Sequence, residues 1–75
     1  MPELPRMSDS QLVAALGKFG FVKVSQQGGH VILKRENVGT EISCVIPLQD
    51  EIASGTLRSI LRQAKIEPEQ FLSAL

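Results

Sequence analysis

Gln26-Gln27-Gly28-Gly29-His30-Val31-Ile32-Leu33-Lys34-Arg35 decides how the rest of this sequence folds. A Gly-Gly pair set between two β-type runs reads as a tight hairpin turn, because glycine alone takes positive φ without steric cost. Just past such a turn the backbone is bare, so a phosphate can approach it closely. The only histidine of the chain, His30, follows the glycines directly. Imidazole, with an unperturbed pKa of about 6.5, exchanges protons near neutrality. With Lys34 and Arg35 downstream, His30 is a candidate proton shuttle beside an anion site. A surface histidine that merely finishes a turn fits the same residues.

Working outward, Phe21 to Ser25 forms the incoming strand and His30 to Arg35 the returning one. Val31-Ile32-Leu33 is apolar at every position, so alternation leaves open which way His30 points. Glu36-Asn37-Val38-Gly39 makes the next turn. Thr40 to Ile46 is a third strand in which Ile42, Cys44 and Ile46 share one face, making Cys44 a core residue. Upstream, Ser8 and Gln11 are spaced as a capping box, and Leu12, Ala15, Leu16 and Phe19 follow at i, i+3, i+4 and i+7. Gly20 suits the left-handed residue that ends this helix. Leu4-Pro5-Arg6-Met7 is a short lead-in.

Downstream, Pro47 stops the third strand and Leu48 to Ala53 reads as an acidic connecting loop. Ser54 is the expected N-cap of a second helix, with Leu57, Ile60, Leu61 and Ala64 as its apolar stripe. Arg58, Arg62 and Lys65 fall at i, i+4 and i+7 as a lateral basic ridge. Such a ridge tracks phosphates, or is a solvated face. Pro68 suits the first turn of a short terminal helix that buries Phe71, Leu72 and Leu75. The expected architecture is a single α+β domain over residues 1–75. It runs α-β-β-β-α with a short C-terminal helix and has its helices on one face of a three-stranded antiparallel meander. Double-stranded-RNA-binding domains share this element order.

Composition narrows the function classes. Of the 75 residues 43% are hydrophobic, enough for a core, although a domain of this size buries only about 60% of its unfolded surface. A large substrate cleft or an internal cofactor is excluded, so any chemistry sits on the surface. One cysteine forms no internal disulfide, and one Cys with one His builds no zinc site. Glu36, Glu41, Asp50 and Glu51 lack the spacing of magnesium ligands, so no metal and no cofactor is expected. No apolar run approaches the roughly 18 residues of a membrane span, and Met1-Pro2-Glu3 does not start a signal peptide; the expected location is the cytoplasm. The formal net charge is zero, yet charge is laid out in blocks. Lys18, Lys23, Lys34 and Arg35 come without an acid between them. The four acids then follow without a cation, and Arg58, Arg62 and Lys65 come next without an acid between them. Local basic patches can therefore exist on a neutral molecule.

Several motifs together resemble the HicA (YcfA-like) toxin family. They are Gly20-Phe21, Gly28-Gly29-His30-Val31-Ile32-Leu33, Ile46-Pro47, and Gly55-Thr56-Leu57-Arg58-Ser59-Ile60-Leu61-Arg62-Gln63-Ala64. The resemblance spans about Leu4 to Leu75. It implies a double-stranded-RNA-binding-like fold, metal-independent cleavage of messenger RNA, and a HicB antitoxin that covers the active site. The family's catalytic histidine maps onto His30. Many relatives carry a second histidine where this chain has Val31, another where it has Leu48-Gln49-Asp50, and a basic residue where it has Ala53-Ser54.

The function expected on these grounds is the endoribonuclease toxin of a type II toxin–antitoxin system. His30 would be catalytic, with Gly28, Gly29, Lys34, Arg35, Arg58, Arg62 and Lys65 binding RNA phosphates, and no DNA would be bound by the protein alone. A non-catalytic RNA-binding module using the basic ridge is the alternative, and a protein-interaction subunit docking through its sheet is a third reading. All three phenylalanines fit apolar stripes or strands, which leaves no aromatic free to stack on single-stranded bases.

Overall fold

A computed structural model describes residues 4–75. Helix α1 (Asp9–Gly17) is followed by strands β1 (Val22–Gln27), β2 (His30–Asn37) and β3 (Thr40–Pro47), then helices α2 (Ser54–Ala64) and α3 (Pro68–Ala74). The strands form one antiparallel sheet in the order β1-β2-β3. This is the α+β architecture expected from the element order.

β2 is the central strand, and its pleat sorts the molecule into two sides. Val31 and Leu33 are buried under the helices, and their partners across β3, Ile46 and Cys44, are buried with them. Successive strand residues point to opposite faces, so His30, Ile32 and Lys34 lie on the open face. Leu12 and Leu16 of α1, Leu57, Ile60 and Leu61 of α2, and Phe71 of α3 complete the core. Burial in this core pushes the Cys44 thiol up to about 11, so it stays protonated at neutral pH.

Local signals account for most element ends. Ser8 and Gln11 make the reciprocal capping box on α1. Past Gly17 the chain tightens through Phe19 N–H to Leu16 and Gly20 N–H to Gly17. Gly20 then reverses it at φ +90°, two residues beyond the cap at Lys18. β1 starts at Val22 rather than Phe21, and Phe21 drops into the core. Val24 has no partner of its own in the β1–β2 register, a bulge that leaves both Val22 and Val24 exposed. The second hairpin is tighter than expected, since pairing continues through Asn37 and Thr40 and leaves Val38-Gly39 as the turn.

Four expectations are corrected. The cap of α2 is Ala53, and Ser54 is its first helical residue and makes no capping bond. α2 ends at Ala64, where Lys65 turns left-handed at φ +61° and donates its N–H to Arg62 and Leu61. Leu75 is 54% exposed, whereas Phe71 is fully buried and stacks against Phe19 at 6.5 Å. Ile52, placed by its acidic neighbours in a loop, is fully buried and pairs with Met7 in an isolated bridge, and Leu4 of the same lead-in is buried too.

Phe71 is the largest fully buried side chain. Phe71→Ala should cost about 3–5 kcal/mol, as aromatic-to-alanine core changes do, with the midpoint of chemical denaturation as the measurement. A loss under about 1 kcal/mol would show that α3 does not close the core.

Candidate active site

The site begins with the β1–β2 turn. Gln27 pairs with His30, and only Gly28 and Gly29 separate them. Gly28 sits at φ +56° and Gly29 does not take positive φ, the sign order of a type II′ turn, which matches the twist of the strands it joins. A side chain at either glycine would meet nothing within 4 Å. The turn therefore presents backbone to open solvent, and neither glycine N–H donates to another backbone carbonyl among the described residues.

His30 is the first residue of β2 and is exposed on the open face. Across the sheet it faces Pro47, and Leu48 N–H donates to the Gly29 carbonyl at 2.7 Å. The loop beyond is tied to the start of α1 by Asp9 N–H to the Gln49 carbonyl at 3.0 Å. The backbone carrying the imidazole is thus held from both sides while the ring itself is open to solvent. Such a ring can take a proton from a substrate hydroxyl, and the glycine N–H groups can face an anion.

The structure places the remaining candidates apart from this turn. Lys34 shares the open face with His30, but four residues along a strand is about 13 Å, and its ammonium pairs with Glu41 at 3.2 Å. Arg35 lies on the opposite, helix-facing side. Its guanidinium stands 5.4 Å over the Phe21 ring and donates to the Phe19 carbonyl at 3.2 Å. Its side chain also fills the space beside Gly20, where a Cβ would come within 3.3 Å of it. Arg35 is a strut of the core edge, not a neighbour of His30. Arg58 and Arg62 do stand together, lining one recess on α2 with Leu61, Ile66, Glu67 and Pro68. Lys65 leaves their helical row because its residue caps the helix.

A groove that the sequence did not disclose lies on the other side of the hairpin from His30. Val13, Val31 and Leu48 line it with apolar surface, and Asp9, Ser10, Lys23 and Gln26 supply polar groups. Lys23 and Gln26 come from β1, and the Lys23 ammonium donates to Gln26 Oε1 at 2.8 Å. Nothing in the local pattern joins these residues to Asp9 and Ser10 of α1; the sheet brings them together. Among the described residues no three His, Cys, Asp or Glu side chains gather into a set able to hold a metal ion. No helix among them is long and apolar enough to cross a membrane.

A family model described as the HicA toxin of bacterial toxin–antitoxin systems matches residues 10–66. This chain belongs to the HicA toxin family. The matched segment contains the glycine turn, His30, the whole sheet and α2. A toxin of this family is one half of a toxin–antitoxin pair. Comparison with curated proteins and with solved structures returns no significant match to either.

Two outcomes follow from the geometry. Gly28→Ala should cost about 1–2 kcal/mol through its left-handed φ, while Gly29→Ala should be neutral or slightly stabilising; equal costs in thermal unfolding would contradict the turn. Arg35→Ala should lower stability by about 1–2 kcal/mol, from a charged hydrogen bond and a cation–π contact. Thermal unfolding is the measurement, and an unchanged melting temperature would show that Arg35 does not brace the core edge.

Proposed function

We propose that the protein is a ribonuclease toxin that cleaves messenger RNA in the cytoplasm, with His30 as its catalytic residue and a HicB-type antitoxin as its protein partner. The observation that carries this reading is the exposed imidazole at the mouth of a bare glycine turn, in a chain of the HicA toxin family. RNA supplies its own nucleophile, so a small open site suffices. Neutral His30 accepts the proton of a ribose 2′-OH. The oxygen attacks the adjacent phosphorus, the P–O5′ bond breaks, and a 2′,3′-cyclic phosphate is left on one product. Solvent reaches the exposed site and protonates the departing 5′-oxygen.

Positioned proton transfer of this kind contributes roughly 10²–10⁴-fold. The N–H groups of Gly28 and Gly29 are the donors nearest to the charge that grows on the phosphorane oxygens. Lys34 and Arg35 have other partners and do not share this role. Arg58 and Arg62 are proposed as phosphate contacts away from the scissile bond, where they add affinity rather than rate.

The expected reaction proceeds in EDTA and leaves 2′,3′-cyclic phosphate or 3′-phosphate ends. A substrate with 2′-deoxy at the scissile residue should resist cleavage, since the nucleophile is missing. His30→Ala should lose about two to four orders of magnitude in rate while still folding and binding RNA. A folded His30→Ala variant that cuts at the wild-type rate would sink the mechanism. Wild type that binds RNA in a salt-dependent way without cutting it would support a non-catalytic RNA-binding module instead.

A further inference from the structure

His30 and Val31 are consecutive, so their side chains leave β2 on opposite faces. Val31 lines the groove described above and His30 opens onto the other side of the hairpin. Only the thickness of the hairpin end separates the two, and that end is the bare Gly28-Gly29 turn. A strand of RNA that lays a phosphate over the turn can put its ribose at His30 and reach back over the glycines with the neighbouring base. The groove measures about 330 Å³, at the lower end of the roughly 300–1,000 Å³ typical of small-ligand sites.

Its chemistry suits a planar polar ring. Val13 and Leu48 offer apolar surface to the faces of the ring, and the almost wholly buried Val31 adds little to it. The rim holds one anion and one cation. Asp9 Oδ1 accepts from Ser10 N–H at 2.6 Å and from the Ser10 hydroxyl at 3.4 Å, and its other oxygen takes no hydrogen bond from the described residues. Lys23 comes from β1 rather than α1, and Gln26 steadies its ammonium. Guanine presents adjacent N–H donors on its Watson–Crick edge and the acceptors O6 and N7 beside them. A carboxylate facing the donors and an ammonium facing the acceptors is the complementary arrangement. Uracil and adenine lack that pattern of two donors beside an acceptor.

We infer that this groove is a nucleobase subsite selecting guanine next to the scissile phosphate, with Asp9 reading the N–H edge and Lys23 the O6/N7 edge. The inference takes its substrate from the ribonuclease reading, but binding in the groove does not depend on catalysis.

The test is a titration of the full chain with guanosine 5′-monophosphate, followed by amide shifts in NMR, with ribose 5-phosphate and uridine 5′-monophosphate as controls. Saturable shifts at Ser10, Val13, Gln26 and Val31 are expected with the guanine nucleotide and not with the controls. Asp9→Asn should weaken this binding about tenfold or more, and Lys23→Ala should weaken it as well. Equal shifts from ribose 5-phosphate, or Asp9→Asn binding as wild type does, would overturn the subsite. In cleavage assays Lys23→Ala should raise KM with kcat nearly unchanged, the mark of lost uniform binding. If His30-dependent cleavage is found and the guanine nucleotide leaves these amides unmoved, the subsite fails alone. If the nucleotide fills the groove and no RNA is cut, the groove stands as a guanine-binding site while its place beside a scissile phosphate falls with the ribonuclease reading.

Discussion

The pleat of β2 is the constraint on which the rest of the molecule depends. As the central strand it is paired along both edges, so its register cannot slip without breaking two ladders at once. Val31 and Leu33 must face the helices, because each would otherwise expose a large apolar side chain and forfeit about 1.5–3 kcal/mol of burial. With those two fixed, His30 has no choice of side. The imidazole stands on the open face because of the hydrophobic demand of its neighbour, not because of any contact of its own.

The same alternation separates two cations that the sequence sets side by side. Lys34 falls on the open face and finds Glu41, whereas Arg35 falls on the helix side and finds Phe21 and the Phe19 carbonyl. Gly20 is tied to this second position, since the arginine stem occupies the space that a Cβ there would need. Gly20, Phe21 and Arg35 thus form one structural unit, although only the first two are adjacent in sequence. What remains beside His30 is backbone: two glycines, and a carbonyl held by Leu48.

How much of this was legible in the sequence follows from the range of the interactions involved. The capping box, the glycine turn, the apolar stripes of α1 and α2 and the shared face of Ile42, Cys44 and Ile46 are local patterns and are present, except that Phe19 lies past the end of α1 and only Gly28 of the glycine pair takes positive φ. Four features were not legible. The three-apolar run of β2 carries no alternation, so the direction of His30 depended on which helices cover the sheet. Ile52 sits among acids and reads as loop, yet its bridge to Met7 is a contact between distant segments. Lys65 fits the helical row of Arg58 and Arg62 by spacing, but the helix ends one residue before it. The groove lined by Asp9, Ser10, Lys23 and Gln26 joins α1 to β1, and no spacing rule connects those segments.

The two outer strands end the sheet by different means, and this bears on whether the molecule can remain single at high concentration. An uncovered strand offers a row of N–H and C=O groups on which another chain can grow by β-addition. On β3 the outward Val45 N–H is taken by Gln63 Oε1 of α2 at 3.2 Å, so that border is partly occupied from within. On β1 no helix among the described residues performs this service, and the exposed valines Val22 and Val24 would make a sticky template. The unpaired Val24 breaks the spacing there, because a bulge bends its strand and interrupts the regular run of donors and acceptors. An incoming straight strand can match only a short part of that border before it falls out of step. A one-residue irregularity in β1 thereby guards the protein against polymerising through its own sheet.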